Sequence, residues 1–185
     1  MKQPTLKGKL VTLRPLKISD AKTLIGLLKD KRISKYLKRS LFPPPSLASE
    51  KKWVRKTWKL AKDGTDLSWV IIYNEDKSLA GVISFHKITI SKSKKSAETG
   101  TWLAVKYWGR GLNSEAKKLM IDFAFKKIKL EKVMVECKTT NIRSKKAIEK
   151  LGAKYEGTKR HEIYKDGKWH DLYSYSILKN EWLRR

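Results

Sequence analysis

The chain has 185 residues, with 44 Lys or Arg against 18 Asp or Glu, a formal net charge of +26. Its 40% hydrophobic and 10% aromatic content supplies a packed core and excludes a disordered chain, and the length suits one domain over residues 1–185. One cysteine, Cys137, excludes an intrachain disulfide and a cysteine-rich metal site, and His86, His161 and His170 lack metal-ligand spacing.

Leu10 to Leu16 reads as an opening strand. Ser19 then stands as an N-cap to a helix whose Ala21, Leu24, Leu27 and Leu28 share one face. A second short helix is expected over Ile33 to Leu37. The Pro43-Pro44-Pro45 run forces an extended loop, because each ring fixes φ and removes an N–H. Ala48 to Ala61 is helical, with Val54, Trp58 and Ala61 on one side. Trp69 to Tyr73 and Leu79 to Ile88 are β-rich runs around an Asn74-Glu75-Asp76-Lys77 turn, the pattern of a hairpin. Ser91 to Ser96 is a polar loop.

Ala97 to Val105 is the next strand, and it runs into Lys106-Tyr107-Trp108-Gly109-Arg110-Gly111. Leu112, Ala116, Leu119, Met120 and Phe123 then recur at helical spacing. Lys132 to Cys137 is a strand, and Asn141 to Leu151 a helix closed by Gly152. Ala153 to Tyr164 and Trp169 to Leu178 complete the chain as two strands around Asp166-Gly167. The order gives an α/β (α+β) chain with a mixed central sheet of about seven strands and flanking helices. No repeat or long linker divides it. No apolar run approaches the ~18 residues of a membrane helix. Met1 to Leu10 has no apolar signal core, so a cytoplasmic protein without a membrane partner is expected.

Gly109-Arg110-Gly111 sits where a strand becomes a helix. Glycines there let backbone N–H groups approach an anion, and the helix start adds unpaired donors and a favourable dipole. Arg110 adds a cation, and Asn113 and Ser114 add polar groups. Many such turns are purely structural, and neither a G-x-x-x-x-G-K-[ST] nor a G-x-G-x-x-G motif is present.

The stretches AETGTWLAVKYWGRGLNSEAKKLMIDFAF, KVMVECKTTNIRSKKAIEKLGAKYEG and YKDGKWHDLYSYSILKNEW occur in order. Together they resemble the RimJ/RimL-type branch of the GNAT superfamily of N-acetyltransferases, which includes ribosomal-protein enzymes. The likeness runs from about Leu10 to Trp182. It implies acetyl-CoA as acetyl donor and no metal. The family's coenzyme A loop, Q/R-x-x-G-x-G/A, falls on Trp108, Gly111 and Asn113, and Asn113 departs from the small residue usual there. The resemblance assigns coenzyme A to Leu103, Ala104, Val105, Trp108, Gly109, Arg110, Gly111, Leu112, Asn113, Ser114, Asn141 and Ser144. It further implies a sheet splayed between its fourth and fifth strands, Ala97–Val105 and Lys132–Cys137. The pantetheine arm would pair there with Leu103 and Val105 as an added strand. A backbone N–H near Trp102 to Ala104 would then stabilise the oxyanion formed on attack.

An amine must lose a proton before it attacks. Glu98 and Glu136 stand at two positions where relatives carry a base, and either accepts that proton or merely pairs with neighbouring lysines. Asn141 and Ser144 match the family's N-x-x-S, although Asn141 is also an ordinary N-cap. Ser144 is placed to assist the leaving thiolate. Ile148 occupies the position at which many wider relatives carry a tyrosine acid. Cys137 reads as a small buried residue.

The expected reaction is direct acetyl transfer to a primary amine in a ternary complex. The acceptor is a protein N-terminal α-amino group or a small amine such as an amino acid, polyamine or antibiotic. The charge suits ribosome or RNA proximity or plain solubility, and a basic RNA-binding module without catalysis is the other class to weigh. A homodimer is left open.

Overall fold

A computed structural model describes residues 3–37 and 43–184. Strands β1 (Leu6–Lys7) and β2 (Val11–Pro15) precede helices α1 (Asp20–Leu28), α2 (Lys31–Ser34) and α3 (Leu47–Asp63). Then come β3 (Leu67–Tyr73), β4 (Leu79–Ile90) and β5 (Lys95–Leu103). A 3-10 turn at Val105–Tyr107 leads to α4 (Leu112–Phe123), whose end loosens into a π turn at Ala124–Ile128. β6 (Lys132–Lys138), α5 (Ile142–Lys150), β7 (Lys154–Lys165), β8 (Lys168–Leu178) and α6 (Lys179–Leu183) follow.

The sheet has eight strands in the order β1-β2-β3-β4-β5-β6-β8-β7. The extra strand relative to expectation is β1, two residues held in antiparallel register with Leu13 and Thr12. It is too short and too polar to show a period of its own. β5 and β6 form the parallel pair, and the remaining neighbours are antiparallel. Their rungs run from Ser96↔Lys132 to Thr99↔Val135 and stop, although β5 continues to Leu103 and β6 to Lys138. The sheet therefore parts where the resemblance implied a splay.

Local chemistry sets the element ends. Ser19 stands at the N-cap of α1 but its side chain makes no capping bond. Asp20 organises that corner instead, accepting the Lys17 N–H at 2.7 Å and two Arg14 bonds at 2.8 and 2.7 Å. The short helix begins earlier than Ile33 because Asp30 accepts the Arg32 N–H and caps it at Lys31. Ser46 caps α3, and Gly64, at φ +76°, closes it.

On one sheet face Leu112, Ala116, Met120 and Ile121 of α4 join Ala97, Val133 and Val135 in the main core. Each buried Leu, Ile, Met or Val among them contributes about 1.5–3 kcal/mol. On the other face Leu24 of α1 and Val54 of α3 pack with Leu16, Val70 and Val82. Trp58, expected on the buried side of α3, is 45% exposed, and its indole N–H reaches the Leu16 carbonyl at 2.9 Å.

Candidate active site

The parting of β5 from β6 leaves a strand edge without a neighbour. Lys95 C=O faces β6, since it accepts the Glu131 N–H at 2.8 Å. Backbone direction alternates along a strand, so Thr101 and Leu103 also face the β6 side, beyond the last rung. The Leu103 carbonyl there accepts the Trp108 indole N–H at 2.9 Å. Close packing on the opposite edge holds β5 in place: a Cβ at Gly81 would lie 2.1 Å from the Trp102 carbonyl oxygen.

The expected continuation of this edge through Val105 is corrected by the structure. β5 ends at Leu103. The Ala104 N–H turns back to the Ala80 carbonyl at 2.8 Å, and the Val105 carbonyl accepts the Trp108 N–H at 3.0 Å inside the 3-10 turn. Leu103 thus presents its N–H to the gap, and the Ala104 N–H is turned away from it. The tight turn wins because the chain must reverse within a few residues to start α4.

That turn needs its glycines. Gly109 and Gly111 hold φ of +78° and +80°, the left-handed region that side chains resist. Gly111 is the N-cap of α4 and supplies no side-chain cap, and the first backbone bond into the helix is Glu115 N–H to Gly111 C=O at 3.1 Å. The N–H groups of Leu112, Asn113 and Ser114 therefore lack helical partners and carry the positive end of the helix dipole. Asn113 Oδ1 is buried without a hydrogen-bond partner. Uncapped amides and two glycines fit a phosphate-bearing ligand, while the unsatisfied Asn113 Oδ1, an acceptor, fits a donor group of a ligand rather than its phosphate oxygens. Glu115 anchors the platform: its carboxylate accepts the Lys9, Leu10 and Val11 N–H groups at 2.9, 2.7 and 2.8 Å.

A cavity of about 410 Å³ joins the turn to the gap. It brings together Leu103, Trp108, Gly109, Gly111, Leu112, Asn113 and Ser114 on one side and Glu136, Asn141 and Ser144 on the other. Ala104, Val105, Arg110 and Glu98 are not in its lining. Arg110 instead interacts with the Tyr73 hydroxyl. Asn141 Oδ1 accepts the Ser144 N–H at 3.2 Å and so caps α5. Ser144 also hydrogen-bonds Cys137, whose thiol is pushed up in pKa chiefly by burial. Ile148 is fully buried.

The two glutamates lie on the sheet face away from α4. Glu98 accepts the Lys87 ammonium at 2.9 Å, with its side chain 16% exposed. Glu136 is the first β6 residue past the last rung, and its side chain is 7% exposed and ion-paired with Lys159. That hydrogen bond holds the Lys159 ammonium above its ordinary pKa. The structure thus brings Glu136 into the cavity and leaves Glu98 beside it.

Three features escaped the sequence. Arg143 lays its guanidinium 3.2 Å from the Trp108 ring centroid and bridges α5 to the glycine turn. Ile33, Tyr36 and Leu37 wall the cavity from α2 and the turn after it. Lys165, from the β7–β8 tip, fastens that wall by donating to the Ser34 and Leu37 carbonyls at 2.6 and 3.2 Å. Each depends on residues far apart in sequence, and no local pattern marks them. Lys117 of α4 is also buried, and burial pushes its ammonium down to about 8.

A sheet that opens beside an uncapped, glycine-led helix start, with a carboxylate at the opening, defines a transferase acting on acyl-coenzyme A. Residues 11–154 match the family described as Acetyltransferase (GNAT) domain, and the chain belongs to that family. It is 31% identical over 179 residues to "Putative ribosomal N-acetyltransferase YdaF" of Bacillus subtilis (strain 168), covering 93% of each chain. It is 28% identical over 178 residues to "Uncharacterized N-acetyltransferase p20" of Bacillus licheniformis, covering 96% of this chain and 98% of that one. The crystal structure of a "Probable acetyltransferase" superposes with TM-score 0.88 at 29% identity, over 96% of this chain and 98% of that chain. Mycobacterium smegmatis RimJ in complex with CoA-disulfide shares the fold, with TM-score 0.88 at 22% identity over 96% of this chain and 88% of that chain. The chain is an N-acetyltransferase, and acetyl-CoA is the acetyl donor of its family. Among the described residues no group of His, Cys, Asp or Glu is arranged to hold a metal ion, and no helix is long and apolar enough to cross a membrane.

Proposed function

We propose that this chain, acting as one cytoplasmic domain, acetylates the α-amino group of a protein N-terminus by direct attack on acetyl-CoA. The observation that carries the reading is Glu136: a carboxylate 7% exposed, at the parting of β5 and β6, inside the cavity that also holds the uncapped start of α4. In this reading the amides of residues 109–114 take the diphosphate. The edge N–H groups of Thr101 and Leu103 take the arm, and one of them polarises the thioester carbonyl. Asn141 holds α5, and with it Ser144, beside the thioester sulfur. Glu136 removes the proton from the attacking amine. Ser144 assists the leaving thiolate, a good leaving group in its own right.

The α-amino acceptor suits this base. With a pKa of ~7.7–8.0 about a tenth of it is already free amine at neutral pH, whereas a lysine amine near ~10.4 is almost wholly protonated and asks far more of a base. The relative YdaF carries a ribosomal N-acetyltransferase name, and a net charge of +26 favours approach to ribosomal RNA. A polyamine is the second reading, favoured by Glu98 and Glu136 on one sheet face, each already holding an alkylammonium.

The test is release of coenzyme A thiol with acetyl-CoA and a panel of peptides, spermidine and free amino acids. Peptides with a free N-terminus should support turnover, and the same peptides blocked at the α-amine should not. Turnover with spermidine alone would replace the first reading by the second.

A further inference from the structure

Lys159 lies on β7, the edge strand, with β8 between it and β6. Its register partner is Leu172, and Ser174, two residues on along β8, pairs with both Glu136 and Gly157. From there the Lys159 side chain crosses β8 and sets Nζ on Glu136 Oε1. It is 43% exposed and reaches a carboxylate that is 7% exposed. The end of this lysine thus meets a carboxylate of the cavity lining where β5 and β6 part, although Lys159 is not itself in that lining. Two other lysines, Lys138 and Lys150, line the cavity. Lys87 pairs with Glu98, outside the cavity lining. Lys138 is buried and donates to the Lys35 carbonyl at 3.5 Å.

We propose that Lys159 is an internal acceptor: without an external amine, its ε-amino group takes the acetyl group and becomes Nε-acetyl-Lys159. The proposal rests on the reading of Glu136 as the proton acceptor. Lys159 gives a proton to Glu136 Oε1, and its Nζ bonds to the acetyl carbonyl carbon. The carbon–sulfur bond breaks, the leaving thiolate takes the second proton that Nζ sheds on forming the amide and becomes coenzyme A thiol, and Glu136 returns the first proton to solvent. No oxidant or reductant is involved. Because the ion pair holds Lys159 protonated, the reaction is slow at neutral pH and quickens as pH rises. The product has no positive charge and leaves an acetamide at Glu136, so modification also lowers turnover with external amines.

The full chain is incubated with acetyl-CoA alone, followed by intact mass and by mapping of the acetylated peptides. One acetyl group per chain is expected, on Lys159. Its half-time should not change on dilution of the protein, as an intramolecular step requires. Label at Lys159 should exceed that on heat-denatured chain by on the order of 100-fold, the scale of general-base assistance. In Lys159→Arg the label should disappear. Label spread over surface lysines as in the denatured chain, or a half-time that lengthens on dilution, overturns the proposal. Thiol release with a peptide acceptor is measured on the same sample. Turnover without label on Lys159 defeats the internal acceptor alone, and loss of both defeats the proposed function with it.

Discussion

Glu136→Gln removes a proton acceptor and almost nothing else. The side chains have the same shape, and the amide oxygen still accepts from Lys159. The ion pair that is lost has a partner 43% exposed, so its contribution to stability is below about 1 kcal/mol, and the variant should fold. Coenzyme A affinity should change by less than about threefold, because the turn that takes the diphosphate is untouched. Loss of a general base costs about 10²–10⁴ in kcat, or about 2.7–5.5 kcal/mol of barrier. The assay is steady-state thiol release at saturating acetyl-CoA and peptide, followed across pH. The deficit should be largest near neutrality and shrink as pH passes the acceptor's own pKa of ~7.7–8.0, where free amine needs no base. Glu98→Gln, outside the cavity lining, should lose less than about tenfold. A Glu136→Gln enzyme within about threefold of wild type at neutral pH would refute the reasoning.

Gly111→Ala places a side chain at φ +80°, where the nearest atom, Leu10 Cδ1, is an ordinary 3.5 Å away, so backbone strain is the main cost. About 1–2 kcal/mol of strain should distort the amide cradle and weaken acetyl-CoA binding by about tenfold, measured by titration calorimetry. Lys117 sheds its proton near pH 8 in the folded chain, against an unfolded value of about 10.4. Below pH 8 the burial penalty is fully present, and from there to about 10.4 the unfolded state binds more protons, so stability rises with pH. Lys117→Met should therefore stabilise the protein by about 2–3 kcal/mol at pH 7, with the gain vanishing above roughly pH 10.5, as read from denaturant melts. For Asp20, burial raises the pKa but the Arg14 and Lys17 hydrogen bonds outweigh it, and the net shift is downward. The corner is stabilising above the unfolded value of ~3.9 and loses that contribution as pH falls through the lowered one. Asp20→Asn should cost about 2–3 kcal/mol at neutral pH and progressively less in acid.

The order of strands and helices was legible because α3 and α4 carry strong helical periods and the β3–β4 and β7–β8 hairpins carry turn residues between their strands. So was the glycine turn, whose two left-handed residues had to be glycines. The fate of Ala104 and Val105 was not, because β-propensity runs on past Leu103 while the bond from Ala104 N–H to Ala80 decides where the strand ends. Nor could the sequence rank Glu98 against Glu136. Both are followed by strand residues and surrounded by lysines, and only the last rung at Thr99↔Val135 puts one of them at the opening. Trp58 misled because its spacing marks a core face, while its indole N–H draws it to the rim and the Leu16 carbonyl.

A crystal structure of the chain with coenzyme A bound tests the site most directly. It should show the diphosphate oxygens on the amide hydrogens of residues 109–114 and the pantetheine arm beside Thr101 and Leu103, with β6 still apart from β5 beyond Thr99. A diphosphate bound elsewhere, with β5 and β6 paired along their whole length, would contradict it.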